Sequence, residues 1–296
     1  MAIPESQLDT WSHQGAIAQS RDTYATVKKA LEDGDAPYAS KDFNVFLQGS
    51  YCNDTNVYAE SDVDVVIRLD STYYPDLSNL TPGERAAFDA ARSTVTYTLE
   101  AFKKDVLATL TKRFGSSVKA GKKAIAIAAS GNRRKSDVIV AAMHRKFRQY
   151  PVSSTPAVEG ILFFANDGGR IVNYPKLHSE NCTRKHQASA SWYKPAVRIL
   201  KNMRQRLVND GLISPGIAPS YYLEGLLYNV PDDRFGSSYQ ATISKALTWV
   251  VQANRDKFVC ANEQYPLIGD MPNVQWKPAD ANQFLTAAVQ LWNNWS

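Results

Sequence analysis

The stretch that most constrains this chain is Asp62-Val63-Asp64-Val65-Val66-Ile67. Side chains along a β-strand alternate between its two faces, so Asp62 and Asp64 share one face while Val63 and Val65 share the other. The valine face can pack into a core. Two carboxylates about 4 Å apart repel each other by roughly 4 kcal/mol at an effective dielectric constant of about 20. The aspartate face must therefore meet water or hold a cation.

Two further features accompany this stretch: the turn Gln48-Gly49-Ser50 before it and a second alternating run, Asp137-Val138-Ile139-Val140-Ala141, after it. Three aspartates would supply the hard oxygen ligands that Mg²⁺ prefers. A divalent ion held in this way can assist phosphoryl or nucleotidyl transfer. The alternative is the wet face of an edge strand, because acidic residues are mostly exposed. The turn and the third acid favour the metal site.

Basic residues crowd the same part of the chain. Between Lys112 and Arg148 there are eleven lysines and arginines and a single acid, Asp137, although the net charge of the whole chain is only +5. Such a local field attracts polyanions, which include nucleic acids and nucleoside triphosphates. A solvated basic face is the alternative. The one acid in the run is the acid that the metal hypothesis needs, which favours a nucleotide site.

Composition excludes several classes of protein. The 296 residues are 44% hydrophobic and 21% charged, which is typical of a globular chain of one or two domains. No apolar run approaches the roughly 20 residues of a membrane span, and the first residues lead us to expect no secretory signal peptide. We therefore expect a cytoplasmic protein. The cysteines and histidines lack the spacing of a disulfide framework or a zinc site, and we expect the histidines to be structural or exposed; they are Cys52, Cys182, Cys260, His13, His144, His178 and His186.

The hydrophobic pattern changes along the chain from mixed to helical. Helices are predicted over 6–32, from Thr81 to about Arg113, and over 184–209, 220–230 and 242–259, with a last one that carries Phe284, Ala288, Leu291 and Trp295. Strands are predicted over 43–48, 62–69, at 118, and over 124–129 and 137–142, with a loop over 73–80 and a hairpin of 161–164 and 170–172. We predict two domains, 1–178 with an N-terminal helix and 179–296.

These motifs resemble a known family. The segments Gln48-Gly49-Ser50, Asp62-Val63-Asp64-Val65 and Ser136-Asp137-Val138-Ile139 resemble the catalytic core of the nucleotidyltransferases that include DNA polymerase β. With the blocks at 172–178 and 219–232, the chain is most similar to clade E of the cGAS/DncV-like nucleotidyltransferases (CD-NTases). Those enzymes make cyclic oligonucleotide signals in bacterial anti-phage (CBASS) defence. The resemblance implies an α+β fold: a polymerase β-like catalytic core with a mixed sheet, joined to a C-terminal helical nucleotide-binding lobe.

The resemblance also implies roles for individual residues. Asp62, Asp64 and Asp137 would be catalytic and would bind two Mg²⁺ ions. The nucleotide would contact the remaining site residues, which are Gln48, Gly49, Ser50, Asn173, Lys201, Ser220 and Tyr221. Among these, Gly49 and Ser50 would cradle the donor triphosphate, Lys201 and Ser220 would contact its tail, and Tyr221 would stack on its base. Asn173 would favour a pyrimidine, since an amide offers both a donor and an acceptor to a uracil edge.

Structural roles for the same residues stay open. Gly49 could serve only a turn, and Asn173 could cap the chain before Tyr174-Pro175. Lys201 could belong to a solvated basic stripe with other residues of its helix, and Tyr221 could be a core aromatic. The stripe would consist of Lys194, Arg198, Lys201 and Arg204.

The function implied is a magnesium-dependent synthase of a cyclic dinucleotide. UTP is the expected substrate, with ATP or CTP as further candidates, and the product would be cyclic di-UMP or cyclic UMP-AMP. A downstream effector would bind that product, and a monomer is expected. The zinc-binding insertion of animal cGAS has no counterpart here, so activation by double-stranded DNA is not implied. The alternatives are a nucleotidyltransferase with an RNA or protein acceptor and a catalytically silent nucleotide sensor.

Overall fold

The computed structural model describes residues 2–15, 17–57, 62–152, 156–271 and 273–295. It contains two compact units. The sheet unit comprises Ala18–Gln48 and Asp62–Pro175, and the helical unit comprises Met1–Ile17, Gly49–Ser61 and Lys176–Ser296. The domain division predicted at residues 178 and 179 stays a prediction. The structure adds that Gly49–Ser61 groups with the helices, although it lies between two strands in the chain.

The strands of the described residues all lie in the sheet unit. They are β1 (Phe43–Leu47), β2 (Val63–Asp76), β3 (Val118–Ala120), β4 (Ile125–Ile127), β5 (Ser136–Lys146), β6 (Val158–Phe164) and β7 (Arg170–Asn173). They form one sheet with the order β1-β2-β5-β4-β3, and β6 joins β5 and β7. The pair of β2 and β5 is parallel, whereas the other pairs are antiparallel. The fold class is the predicted α+β.

The alternation predicted for β2 is confirmed. Val63, Val65 and Ile67 are fully buried, while Asp62 and Asp64 stay partly accessible. Val66 on the aspartate face is also buried, because it packs in a second cluster with Ala141, Ile161 and other apolar residues of the sheet. Asp62 and Asp64 at the start of β2 are therefore open to solvent while the middle of the strand is buried.

Ten helices occur within the described ranges. They are α1 (Glu5–Ser12), α2 (Ala18–Leu31), α3 (Gly49–Cys52), α4 (Pro82–Ala90), α5 (Leu99–Phe114), α6 (Pro175–Ala188), α7 (Tyr193–Asn209), α8 (Ser220–Tyr228), α9 (Tyr239–Gln252) and α10 (Pro278–Asn293). Three short 3₁₀ turns follow at Gly115–Ser117, Asp232–Arg234 and Arg255–Lys257. Helices α1 and α7–α10 enclose the large apolar core of the helical unit.

Two long helices predicted from periodicity are wrong. The helix predicted over 6–32 is two helices, since α1 ends at Ser12 and His13 is extended; Ala16 lies outside the described residues. The helix predicted from Thr81 to Arg113 is α4 and α5. Threonines, a valine and a tyrosine at 93–98 favour extended backbone over helix, and Thr98 caps α5 by accepting from the Ala101 N–H at 3.2 Å.

Three other boundaries also differ. The segment 73–80, predicted as a loop, begins with the last four residues of β2, which pair with β5 after a register shift. The helix predicted over 184–209 is divided between α6 and α7, because Ala190 and Ser191 have positive φ angles of 48° and 71°. Helix α9 ends at Gln252 instead of Val259. The remaining predicted strands and the hairpin of β6 and β7 are confirmed.

The basic residues between Lys112 and Arg148 are in part neutralised by partners within the sheet unit. Lys122 pairs with Asp167 at 2.9 Å, Arg145 with Glu159 at 3.3 Å, and Arg133 lies over the Phe114 ring. In the described parts of the chain, no helix has the length and apolar character that crossing a membrane requires.

Candidate active site

Pairing of β2 with β5 brings the predicted aspartates together. In this parallel pair Asp64 lies directly opposite Asp137, and Asp62 immediately precedes β2. The Gln48 N–H donates to the Asp64 carbonyl at 3.0 Å, so the backbone after β1 is tied to the same point of the sheet. Residues 62 and 137, which are 75 positions apart in the chain, thus contribute carboxylates to one corner of the sheet.

A lysine already occupies this corner. The Lys135 ammonium donates to Asp62 Oδ2 and lies 3.9 Å from Asp137 Oδ2. The hydrogen bond with Asp62 and the charges of the other two aspartates raise the pKa of Lys135. Burial, with Asp62 adding to it, raises the pKa of Asp137 in spite of Lys135. Two carboxylates therefore contact one cation, and the third, Asp64, lies opposite Asp137 in the paired strands.

This arrangement fits a divalent metal ion. The donors are carboxylate oxygens, which suit hard cations, and they already attract one positive group. Asp62 and Asp137 have side chains 40% and 32% exposed, so an ion could reach them from solvent. Sequence reasoning missed Lys135, although a signal existed: it precedes Asp137 by two residues, the spacing that places side chains on one face of a strand.

The predicted base-selective residue, Asn173, is the last residue of β7. Its side-chain oxygen accepts from the Tyr174 N–H at 2.8 Å, and the side chain is half-buried. A backbone donor on Oδ1 fixes the orientation of the amide. The side chain therefore serves both as a local cap and as a carrier of two oriented N–H donors on Nδ2.

The turn residues Gly49 and Ser50 belong to the helical unit, where they begin the short helix α3. Gly49 has a φ of +70°, a left-handed conformation that favours glycine. The Asn53 N–H donates to the Gly49 carbonyl at 3.2 Å and the Thr55 N–H donates to the Ser50 carbonyl at 2.9 Å. Residues 49–55 are thus one compact hydrogen-bonded loop.

The helical unit contains a buried carboxylate with four donors, which we call the Glu224 cluster (Asn53, Thr55, His178, Lys201 and Glu224). Oε1 of Glu224 accepts from the Thr55 hydroxyl at 2.5 Å and lies 3.2 Å from the Lys201 ammonium. Oε2 accepts from Asn53 Nδ2 at 3.0 Å and from His178 Nε2 at 2.7 Å. Every member is at most 5% exposed. A charge so deeply buried is tolerated only when paired and hydrogen-bonded in this way.

The charges of the cluster follow from these contacts. Burial alone would raise the pKa of Glu224, but Lys201 and His178 hold it well below its usual range. Burial opposes the charged form of His178, yet its contacts with Cys182 and Glu224 outweigh that cost and raise the pKa of His178 to about 10. Both shifts favour the charged forms, an anionic Glu224 beside a cationic His178.

The basic residues of α7 are no solvated stripe. Lys201 is fully buried; besides Glu224, its ammonium donates to the Thr55 hydroxyl at 3.3 Å. Lys194 pairs with Asp54 at 2.8 Å, and Arg198 donates to the Asp54 carbonyl. The predicted contact between Lys201 and the triphosphate tail stays a prediction, and the structure places its charge against Glu224.

The two remaining predicted contacts, Ser220 and Tyr221, begin helix α8. The Ser220 hydroxyl accepts from Arg204 at 3.2 Å. The Tyr221 ring is stacked on the His178 imidazole, with centroids 5.0 Å apart and planes inclined by 25°, and its hydroxyl accepts from Asn262 at 2.9 Å. Burial raises the pKa of the Tyr221 hydroxyl above its usual value, so the side chain stays neutral. His178, expected to be structural or exposed, is structural.

One group of potential ligand atoms was not predicted, because the residues that carry it lack the sequence spacing of a zinc site. His178, Cys182 and Glu224 have potential ligand atoms within 4.8 Å of one another. The Glu224 oxygens are already engaged by four donors, one of which is a lysine. A metal ion there would have to displace these donors, so the geometry fits a hydrogen-bonded network better than a metal site.

Comparison with known proteins identifies the family of this chain. Residues 180–293 match the family model for the cGAS/DncV-like nucleotidyltransferase C-terminal helical domain. The whole chain is 39% identical to the cyclic UMP-AMP synthase of Rhodothermus marinus, over 100% of this chain and 99% of that protein. The chain belongs to the cGAS/DncV-like nucleotidyltransferase family. The predicted enzyme class is confirmed, and members of this family use divalent metal ions.

Other relatives differ in the bases they use. The cyclic nucleotide synthase CdnE01 of Staphylococcus haemolyticus is 35% identical over the full length of both chains. A cyclic dipurine nucleotide synthase of Elizabethkingia meningoseptica is 33% identical over 85% of each chain. The solved structure of the Rhodothermus marinus CdnE enzyme with Apcpp and Upnpp matches with a TM-score of 0.89 at 37% identity, over 99% of this chain and 98% of that one. Overall similarity to the CD-NTases therefore leaves the choice of base to individual residues.

Proposed function

We propose that this CD-NTase joins two nucleoside triphosphates into a cyclic dinucleotide that contains a pyrimidine, as a signal in anti-phage defence. The observation that carries the proposal is the position of Asp62 and Asp137 beside one cation, Lys135, with Asp64 opposite Asp137 in the paired strands. Three carboxylates from two paired strands form a site for divalent ions, which nucleotidyl transfer requires. The full-length similarity to a cyclic UMP-AMP synthase supports the cyclic product.

We propose Mg²⁺, two ions, as the metal that the three aspartates hold. When bound, these ions would lower the pKa of the acceptor 3′-hydroxyl and would neutralise the departing pyrophosphate. Asp62, Asp64 and Asp137 would hold and orient them, and Lys135 would release Asp62. The 3′-oxygen would lose its proton to water and form a bond to the α-phosphorus of the donor as the bond to pyrophosphate breaks. A second such attack, within the linear dinucleotide triphosphate, closes the ring and releases a second pyrophosphate.

The donor nucleotide is proposed to bind the residues predicted from sequence. Gly49 and Ser50 would take the triphosphate, because a left-handed glycine leaves its backbone open to close approach. Ser220 would take the triphosphate tail, and Tyr221 would stack on the base. For Lys201, the buried ion pair with Glu224 favours an indirect contribution.

Choice of a pyrimidine is proposed to rest on Asn173. Its oxygen is engaged by the Tyr174 N–H, so its nitrogen is oriented as a donor. A donor at this place suits a uracil carbonyl. UTP is therefore the proposed first substrate, and an effector protein that binds the product is the proposed partner.

The test is turnover with labelled nucleotides. The purified chain is incubated with magnesium and all four ribonucleoside triphosphates, each labelled in turn at the α-phosphate, and products are treated with phosphatase. Label from UTP that resists phosphatase, at the mobility of a cyclic dinucleotide, is the expected result. It should disappear in Asp62→Asn/Asp64→Asn and persist in Asp167→Asn, which changes an exposed aspartate of the same unit.

Other outcomes would redirect the proposal. Resistant label from purine nucleotides alone would overturn the pyrimidine preference and leave the cyclase activity. Label that enters added RNA or protein instead of a small product would replace the cyclase by a transferase with a macromolecular acceptor. Nucleotide binding without release of pyrophosphate would indicate a silent sensor.

The role of Asn173 has a test of its own. Asn173→Asp keeps an oxygen that accepts from Tyr174 but replaces the two donors of Nδ2 by an acceptor. We expect the use of UTP relative to ATP to fall by about 10-fold or more, since a mispaired buried polar group costs about 1–3 kcal/mol. An unchanged ratio would show that Asn173 acts only as the local cap.

A further inference from the structure

The Glu224 cluster is connected by backbone hydrogen bonds to the two residues proposed to take the triphosphate. Two of the four donors to Glu224 are the side chains of Asn53 and Thr55. The backbone N–H of Asn53 donates to the Gly49 carbonyl, and that of Thr55 donates to the Ser50 carbonyl. One residue therefore separates the buried carboxylate from Gly49 along one path and from Ser50 along the other.

Asp54, the residue between these two donors, is also held by partners. Asp54 has a φ of 55°, a left-handed conformation that aspartate adopts more readily than most residues other than glycine. Lys194 holds its carboxylate at 2.8 Å, and Arg198 donates to its carbonyl. All three cations, Lys194, Arg198 and Lys201, project from α7. The loop after Ser50 is thus fixed by a helix instead of being left to solvent.

We propose that Glu224 is a positioning residue for the donor triphosphate: it fixes Asn53 and Thr55, and through them the Gly49–Ser50 turn, before the nucleotide binds. Lys201 supplies the charge that allows a carboxylate to be buried at this point. The proposal rests on the proposed function, in which Gly49 and Ser50 contact the triphosphate. Neither that function nor the predicted site residues include Glu224, Asn53 or Thr55.

A preorganised turn has a kinetic consequence that a general packing role lacks. Ordering of a loop at the moment of binding lowers affinity, because part of the binding free energy is used to order it. Loosening the loop should therefore raise the Kd and KM for the nucleotide while kcat at saturation stays nearly unchanged. Loss of packing elsewhere in the same unit should lower thermal stability and leave the KM unaffected.

The chain offers a matched pair of variants for this test. Thr55→Val removes the hydroxyl that bridges Glu224 and Lys201, whereas Thr242→Val removes a fully buried hydroxyl in α9 that binds the Gly236 N–H at 2.9 Å. Both changes are nearly isosteric and lie in one unit. Thr55→Ser, which restores the hydroxyl, serves as the rescue.

The measurements are the equilibrium Kd of the full chain for a non-hydrolysable UTP analogue with Mg²⁺, the KM and kcat for UTP, and the melting temperature. For Thr55→Val we expect a Kd and KM raised about 5- to 20-fold, with kcat within about twofold of wild type. Thr242→Val should keep both constants within twofold despite a comparable fall in melting temperature. Thr55→Ser should restore wild-type binding.

Two results would overturn the proposal. One is a Kd for Thr55→Val within twofold of wild type while Ser50→Ala weakens binding, since the turn would then not depend on the cluster. The other needs no variant: fast hydrogen exchange of the Asn53 and Thr55 amides in the nucleotide-free wild-type chain would show that the loop is not held in advance. If neither Ser50→Ala nor Thr55→Val weakens binding, the positioning role and the contact of the Ser50 hydroxyl with the triphosphate are both wrong.

Discussion

The two carboxylate sites of this molecule are built on opposite principles. At the corner of the sheet lie three partly exposed aspartates, two of which contact a lysine that is 49% exposed. In the helical unit, a single glutamate with a side chain 5% exposed is saturated by four donors from three other segments. The first site can exchange its cation, whereas the second cannot without losing its buried network. The exposed site, where acids outnumber cations, is therefore suited to binding metal ions. The buried site, where one acid is paired with four donors, stabilises the fold.

The largest expected effect is on turnover, at the exposed site. Asp62→Asn/Asp64→Asn should lower the rate of pyrophosphate release by more than about 100-fold, since even loss of a group that only orients a metal ligand costs about 10–100-fold. The free energy of unfolding should change by less than about 1 kcal/mol, because the pair with Lys135 is exposed. Rates and urea unfolding curves of the same preparations measure both. A large fall in the free energy of unfolding would contradict the expected difference in stability between the two sites.

At the buried site we expect the main effect to be on stability. Glu224→Gln leaves Lys201 buried without its counter-charge and should lower the free energy of unfolding by about 3–5 kcal/mol. The loss of stability in Glu224→Gln/Lys201→Met should be smaller than the sum of the losses in the two single variants. Lys201→Met removes the charge that Glu224→Gln leaves unpaired. A double-mutant cycle by urea denaturation gives the coupling. Additive effects would show that the two residues do not act as a pair.

A dependence of stability on pH is expected from His178. Its pKa of about 10 in the folded chain lies above the usual 6.5, so its contribution is fully present below pH 6.5 and is lost as the pH rises towards 10. The free energy of unfolding should therefore fall between pH 6.5 and pH 9.5 by at least about 1 kcal/mol more in wild type than in His178→Gln. Equal falls would show that His178 is neutral in the fold.

The smallest effect is expected from Lys135. In the metal-free chain its ammonium competes for Asp62 with any arriving cation. Lys135→Met should lower the Mg²⁺ concentration for half-maximal activity by about 2- to 5-fold, the scale of an exposed ion pair. Lys122→Met, which disrupts another exposed pair of the same unit, is the control. A higher magnesium requirement in Lys135→Met would mean that the lysine assists binding of the metal and nucleotide.

Much of the sheet and of its site could be predicted because the signals are local. Alternation over six residues placed Asp62 and Asp64 on one face, and the same pattern at 137–142 identified the second strand. Family motifs then identified the class of enzyme, which the comparison with the Rhodothermus marinus enzyme supports. Boundaries of helices were less predictable. Apolar periodicity continues across residues 91–98 and conceals the local signals that divide this helix, which are the β-branched residues there and the cap at Thr98.

The sequence by itself determined the three aspartates, the glycine of the turn and the type of chemistry, because each depends on residue identity and spacing within one element. The tertiary structure alone decided what surrounds Glu224, and it also showed that Lys135 lies beside those aspartates. The partners of Glu224 come from positions 53, 55, 178 and 201. Lysines on an amphipathic helix have the same periodicity whether they meet water or a buried carboxylate. Only the packing of distant segments excludes water from Lys201 and Glu224. Without water, the two charges are tolerated because they pair with each other.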